Sequence, residues 1–181
     1  MLDTKTYLDT IGSFATGVTV VTVETDHHPH GMTATAVTSL SLSPMLIAVM
    51  VAKKAKMAEI LKPGVPFTVN ILREEQAALS NHFAGAIKPQ EHPPEFSFVP
   101  WESGPRLDGC LAALGCKVTE VFDGGDHWIV VGEVVQLAQG YEPRNPLLYY
   151  RGRYGRLEPG GALAPTRDDL DDGTPQIYYD W

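Results

Sequence analysis

The 181 residues, 44% hydrophobic and 20% charged, have the composition of one globular domain with enough apolar material for a core. A formal charge of −8 excludes a basic nucleic-acid-binding surface as the organising feature, and no apolar run approaches the roughly 20 residues of a membrane-spanning helix. The opening MLDTKTYLDT lacks the basic start and apolar middle of a secretory signal, so a cytoplasmic location is expected. Residues 158–181 hold six acidic residues against Arg167, which is −5 of the −8. The expected organisation is therefore one domain over residues 1–157 followed by an acidic, Pro/Gly-containing tail over 158–181.

In chain order, residues 3–14 predict a short helix capped by Asp3, with Tyr7, Leu8, Ile11 and Phe14 on one face. GVTVVTVE (17–24) is β-branched and predicts a strand. The turn ETDHHPHG leads into GMTATAVTSLSLSP (31–44), read as one strand antiparallel to the first. Along that stretch Thr33, Thr35, Val37, Ser39 and Ser41 alternate with small or apolar residues, so one face is largely hydroxyl. Such a face fits an ordinary half-buried strand, and it equally fits a flat ligand met by uncharged donors.

MLIAVMVA (45–52) predicts a strand buried on both faces, and residues 53–61 a helix with Met57, Ile60 and Leu61 inward. VPFTVNIL (65–72) predicts a strand, and residues 73–85 a second helix ending at Gly85. A Pro-rich loop over 86–101 ends in a short strand, and residues 110–122 and 127–136 form a long hairpin around Asp123-Gly124-Gly125-Asp126. Hairpins with a few helices between them predict a mainly β, antiparallel, closed or partly open barrel. Cys110 and Cys116, read as six positions apart in one strand, would stand about 20 Å apart, so both are expected to be reduced core thiols.

The chain carries no serine-elbow, HExxH, CxxC or P-loop motif, and the His27, His28 and His30 turn lacks the spacing of a metal site. Without a nucleophile or acid–base pair, the chemistry is expected to come from a bound cofactor that the protein positions. Two basic clusters, Lys53, Lys54 and Lys56 and then Arg151, Arg153 and Arg156, fit either cofactor phosphates or a solvated face. Phe83 and Tyr154 fit either core packing or contact with a flat ring. His127, just after a Gly-Gly turn and beside Asp126, reads as a strand-edge histidine or a ligand contact.

Together, FATGVTVVT (14–22), GMTATAVTSLSLSP (31–44), FTVNIL with HFAG (67–72 and 82–85), GDHWIVVGEV (125–134) and PLLYYRGRYGRL (146–157) resemble the flavin reductase family. These are small NAD(P)H:flavin oxidoreductases that serve two-component flavin monooxygenases. The resemblance implies a split β-barrel and a homodimer with flavin near the subunit interface. It implies FMN or FAD as flavin, NADH or NADPH as hydride donor, and a separate oxygenase as partner. By position, the implied flavin contacts are Thr33, Ala34, Thr35 and Ser39, the segment 51–54 with Val51, Lys53 and Lys54, and then Phe83 and Ala84. His127 falls at the family's nicotinamide-contacting histidine and is the implied catalytic residue, with Tyr154 beside it. Ala55 and Met57 stand where relatives often carry hydroxyls. Two other readings of the same barrel are an FMN-binding electron carrier and a pyridoxamine-phosphate-oxidase-like oxidase.

Overall fold

A computed structural model describes residues 2–26, 28–86, 92–140 and 145–158 of the chain. His27, residues 87–91 of the Pro-rich loop and the tail beyond Glu158 lie outside them. The described chain is mainly β with a few short helices. Helix α1 (Thr4–Ile11) is capped by Asp3, whose carboxylate accepts the Thr6 N–H at 2.9 Å. The strands that follow are β1 (Thr16–Gly17), β2 (Thr19–Val23), β3 (His30–Ala34), β4 (Val37–Leu42) and β5 (Met45–Ala52). Helix α2 (Lys56–Ile60) leads to β6 (Pro66–Ile71), a 3-10 turn over Glu74–Gln76 and helix α3 (Ala77–Phe83). The chain continues through β7 (Phe98–Val99), β8 (Arg106–Leu107), β9 (Ala112–Gly124), β10 (His127–Gln139), β11 (Leu148–Tyr150) and β12 (Arg153–Gly155).

Seven strands form one antiparallel sheet in the order β3-β2-β6-β9-β10-β5-β4. Hydrogen bonding does not close it. Its two edge strands, β3 and β4, are nevertheless consecutive in the chain and joined only by Thr35 and Ala36. A two-residue link lets the ends of β3 and β4 stand at most about 11 Å apart, so the sheet must curl until its edges meet at that corner. The expected single strand over 31–44 is therefore two strands with different partners, β3 on β2 and β4 on β5. The alternation runs on through the corner, which is why the pattern hides the break. A register shift between Ser39 and Ser41 interrupts it a second time.

Other boundaries move for local reasons. The helix expected from residue 53 begins at Lys56, because the Lys53 N–H donates to the Asp126 carbonyl at 2.9 Å and is drawn onto the neighbouring hairpin. The second helix has a 3-10 first turn, in which the Gln76 side chain accepts the Arg73 N–H at 2.9 Å. The strand expected from Cys110 starts at Ala112. Strand β5 buries Ile47, Ala48, Val49 and Val51 but leaves Met45 half exposed at its start. The β2–β3 and β9–β10 hairpins form as the turn residues predict.

Strand β2 separates two apolar clusters. Val21 and Val23 pack with Val49, Val51, Met57, Phe67 and Cys116 on one side, while Val20, with Val18 just before the strand, packs with Leu72, Leu79, Leu107 and Leu147 on the other. Both cysteines are free and buried, and burial pushes the Cys116 thiol up to about 12, so it stays neutral and inert. Between the clusters lies one polar junction. The fully buried Asn70 amide donates to the Val20 carbonyl and the Thr22 hydroxyl, both at 2.9 Å, and accepts the Leu107 N–H at 2.8 Å. The Thr22 hydroxyl in turn donates to the Pro105 carbonyl, so this junction fastens β8 and its loop to the sheet. Asn70→Leu preserves size but strands these partners without water. It is expected to lower unfolding free energy by about 2–4 kcal/mol, read as a lower urea midpoint at unchanged slope.

Candidate functional site

The corner and the hairpin tip meet on one strand. The Ala36 carbonyl accepts the Met50 N–H at 3.0 Å, fixing the corner against the C-terminal half of β5. Two residues further, Ala52 is registered opposite His127 at the start of β10. Met50 and Ala52 share a strand face about 7 Å apart, and the cross-strand partners Ile129 and His127 share it with them. All four are half-buried, whereas Val49, Val51 and Val130 point into the core. Ala36 at the corner and His127 at the hairpin tip are thus brought to the two sides of the C-terminal half of β5, although 91 positions separate them in the chain.

The tip is built for a tight reversal. Gly125 has φ +82°, a left-handed conformation that a side chain disfavours, and its N–H donates to Asp123 Oδ1 at 3.0 Å. His127 Nδ1 lies 2.6 Å from Asp126 Oδ1, and the His127 side chain is 44% exposed. The hydrogen bond with His127 holds the Asp126 carboxyl below the usual range. Lys53 pairs with Asp123, whose carboxyl is likewise lowered, first by that hydrogen bond and then by the Gly125 N–H. The Lys53 ammonium also lies 4.4 Å from the Trp128 ring centroid. Lys54 is exposed beside it. On β3, burial first and the nearby Lys56 second push the His30 imidazole below its ordinary range, so it is neutral at pH 7.

A third group surrounds α3. The Thr33 hydroxyl donates to the Ser80 carbonyl at 2.6 Å, and the Tyr154 hydroxyl is hydrogen-bonded to Ser80 Oγ (2.9 Å) and Asn81 Oδ1 (2.8 Å). Ser80 is fully buried and ties β3 and β12 to the helix. The Phe83 ring lies directly over Gly31, where an added Cβ would fall 2.5 Å from two ring carbons. Its edge meets His82 and Phe96 at centroid distances of 5.0 and 5.1 Å. Ala84 follows as the helix C-cap.

The residues singled out from sequence therefore fall into three neighbouring sets. Thr35 and Ser39 line a cleft, Lys53, Lys54 and His127 form the hairpin rim, and Thr33, Phe83, Ala84 and Tyr154 surround α3. The Ala34 and Val51 side chains are in the core, which leaves only their main chain for a ligand. Asp123, read only as a turn residue, and Trp128, Ser80 and Asn81 are not among the site residues expected from sequence. Trp128, adjoining His127, was the one with a local signal. The cleft, of 1290 Å³, has a floor of Ile47, Val69, Ile71 and Leu114 and a wall of Tyr7, Leu8, Ile11 and Phe14 from the N-terminal segment. Thr16 also lines it, with its hydroxyl oxygen buried and without a hydrogen-bond partner among the described residues. No group of three His, Cys, Asp or Glu side chains among the described residues is placed to hold a metal, and none of their helices is long and apolar enough to cross a membrane.

Known proteins resemble this chain both in sequence and in fold. The reductase component of 4-hydroxyphenylacetate 3-monooxygenase from Thermus thermophilus is 42% identical over 153 residues, covering 84% of this chain and 96% of that protein. The structure of flavin reductase PheA2 in its native state superposes with a TM-score of 0.81 at 37% identity, covering 87% of this chain and all of that one. The NADH:FAD oxidoreductase SgcE6 of Streptomyces globisporus, solved in complex with NAD and FAD fragments, gives 0.76 at 34% identity, covering 88% and 97%. The profile described as "Flavin reductase like domain" matches residues 11–158, and the chain belongs to the flavin reductase family.

Proposed function

We propose that this chain is an NAD(P)H-dependent flavin reductase, the reductase component of a two-component system, which hands reduced FMN or FAD to a separate monooxygenase. The single observation that carries the site assignment is the meeting of the Thr35–Ala36 corner and His127 at one end of β5. Uncharged donors in an open cleft thus lie toward the same strand end as an imidazole. The cleft fits a flavin and a nicotinamide lying against each other. When both are bound, they supply hydride transfer from the nicotinamide to the flavin, and no protein base is needed.

The residues hold and orient. Thr35 and Ser39 donate to the flavin, Ala34 and Val51 let it approach the main chain, and Thr33 fixes α3 so that Phe83 and Ala84 border it. Lys53 and Lys54 stand at the basic rim, with the exposed Lys54 as the cation for its phosphate. His127 hydrogen-bonds the nicotinamide nucleotide and aligns its ring, while the Tyr154 hydroxyl is held at α3 by Ser80 and Asn81. The sheet, curled until its edge strands join, is assigned as a split β-barrel. Residues 1–157 are assigned as the catalytic domain and 158–181 as an acidic tail outside it. A cytoplasmic location suits the two buried free thiols.

The apolar side chains of Tyr7, Leu8, Ile11 and Phe14 are 50–73% exposed along one wall of the cleft. A second copy across a two-fold axis covers them and completes the site. Light scattering at micromolar concentration is expected to give twice the chain mass. A monomer with full activity would refute the assembly.

His127→Ala is expected to raise KM for the nicotinamide and to lower kcat/KM by about ten- to a hundredfold, while flavin affinity by fluorescence quenching changes little. Thr35→Val is expected to do the reverse, weakening flavin by about tenfold with the nicotinamide KM little altered. Anaerobic bleaching of flavin absorbance by NADH separates a reductase from a permanent FMN carrier. The absence of bleaching with bound flavin would overturn the proposed activity.

A further inference from the structure

Lys53 touches three residues of the β9–β10 tip at once. Its main-chain N–H donates to the Asp126 carbonyl at 2.9 Å, its ammonium pairs with Asp123, and the same ammonium lies over the Trp128 ring. Those three positions bracket His127 on both sides. Asp123 is used at both oxygens, with Oδ2 on Lys53 and Oδ1 on the Gly125 N–H, so the ion pair spans the turn and fastens it to the end of β5. Asp126, held by its carbonyl to Lys53, presents its carboxylate to His127 Nδ1.

We propose that Lys53 is a positioning residue for His127: it locks the hairpin tip against β5 and sets the direction of the imidazole, rather than serving as a flavin-phosphate ligand. The inference rests on the reading of His127 as the nicotinamide contact. Its physical basis is geometric. Strand β10 is paired with β5 as far as His127 opposite Ala52, and the Lys53 side chain extends that hold across the turn to Asp123 on β9, which has no ladder to β5. The side chains of Lys53 and Asp123 are 33% and 66% exposed, so solvent screens the pair, and its effect is on alignment more than on folding.

The test is a double-mutant cycle on the full chain with Lys53→Met and Asp123→Asn, followed by Lys53→Arg and the charge exchange Lys53→Asp with Asp123→Lys. His127→Ala is measured alongside. Both single variants are expected to raise the nicotinamide KM by about three- to fivefold at an unchanged melting temperature, and the double variant no more than either. Lys53→Arg and the charge exchange are expected to recover most of the loss. The flavin dissociation constant is expected to stay within about twofold throughout. Two results overturn the proposal. One is Lys53→Met weakening flavin while Asp123→Asn leaves it equal or tighter, which marks Lys53 as a phosphate ligand. The other is a wild-type nicotinamide KM in both single variants while His127→Ala raises it. If His127→Ala itself leaves that KM unchanged, the underlying site assignment fails and the positioning role falls with it.

Discussion

Two residues, Thr35 and Ala36, connect opposite edges of a seven-stranded sheet, and that short link is the constraint from which the architecture follows. A flat sheet of seven strands places its edges about 28 Å apart, far beyond what two residues span. The sheet must therefore bend round on itself, and the long β9–β10 ribbon, with its two register shifts, is where strong twist is available. Closing the gap brings the corner to β5 and leaves an open trough beside it, lined by Thr35, Ser39, Ile47 and Met50. The trough is a by-product of how the edges meet.

This geometry suits a reaction in which the protein neither gives nor takes a proton at the reacting atoms. What the chemistry asks for is two planar rings held in contact and room for both to leave. Small and hydroxylated residues at the corner supply close approach and uncharged donors, while charge is kept to the rim at Lys53, Lys54, Asp123 and Asp126. The buried polar groups lie elsewhere. Asn70, Thr22 and Ser80 fasten loops and helices to the sheet, where complete hydrogen bonding offsets the loss of water.

Much of this was legible in the chain. The Gly-Gly turn marked the hairpin, β-branched runs marked β2 and β6, and Asp3 marked the cap of α1, because each of these is decided within a few residues. The break at Thr35–Ala36 was not legible. Period-two alternation is satisfied on both sides of a corner, and the change of partner from β2 to β5 leaves no local trace. The same holds for side-chain commitments. Thr33 reads as an outward donor until Ser80, 47 positions away, takes its hydrogen bond, and Lys53 reads as a free cation until Asp123, 70 positions away, faces it. Sequence named the candidate residues, while tertiary contacts decide which of their polar atoms are already spoken for.

The Ser80 junction has a consequence for protein engineering. Helix α3 has seven residues, too few to persist in water without outside support, and much of that support comes from Thr33 on one side and Tyr154 on the other. Tyr154 lies in β12, the last strand of the described chain. A monooxygenase fused through a short linker directly after Gly155 would exert its tension on β12, and the strain would pass through the Tyr154 hydroxyl into the helix that carries Phe83. A fusion joined ahead of Asp3 loads α1 first, which makes no hydrogen bond to α3 among those described and meets the β11–β12 turn at Arg151 through Gly12 and Ser13.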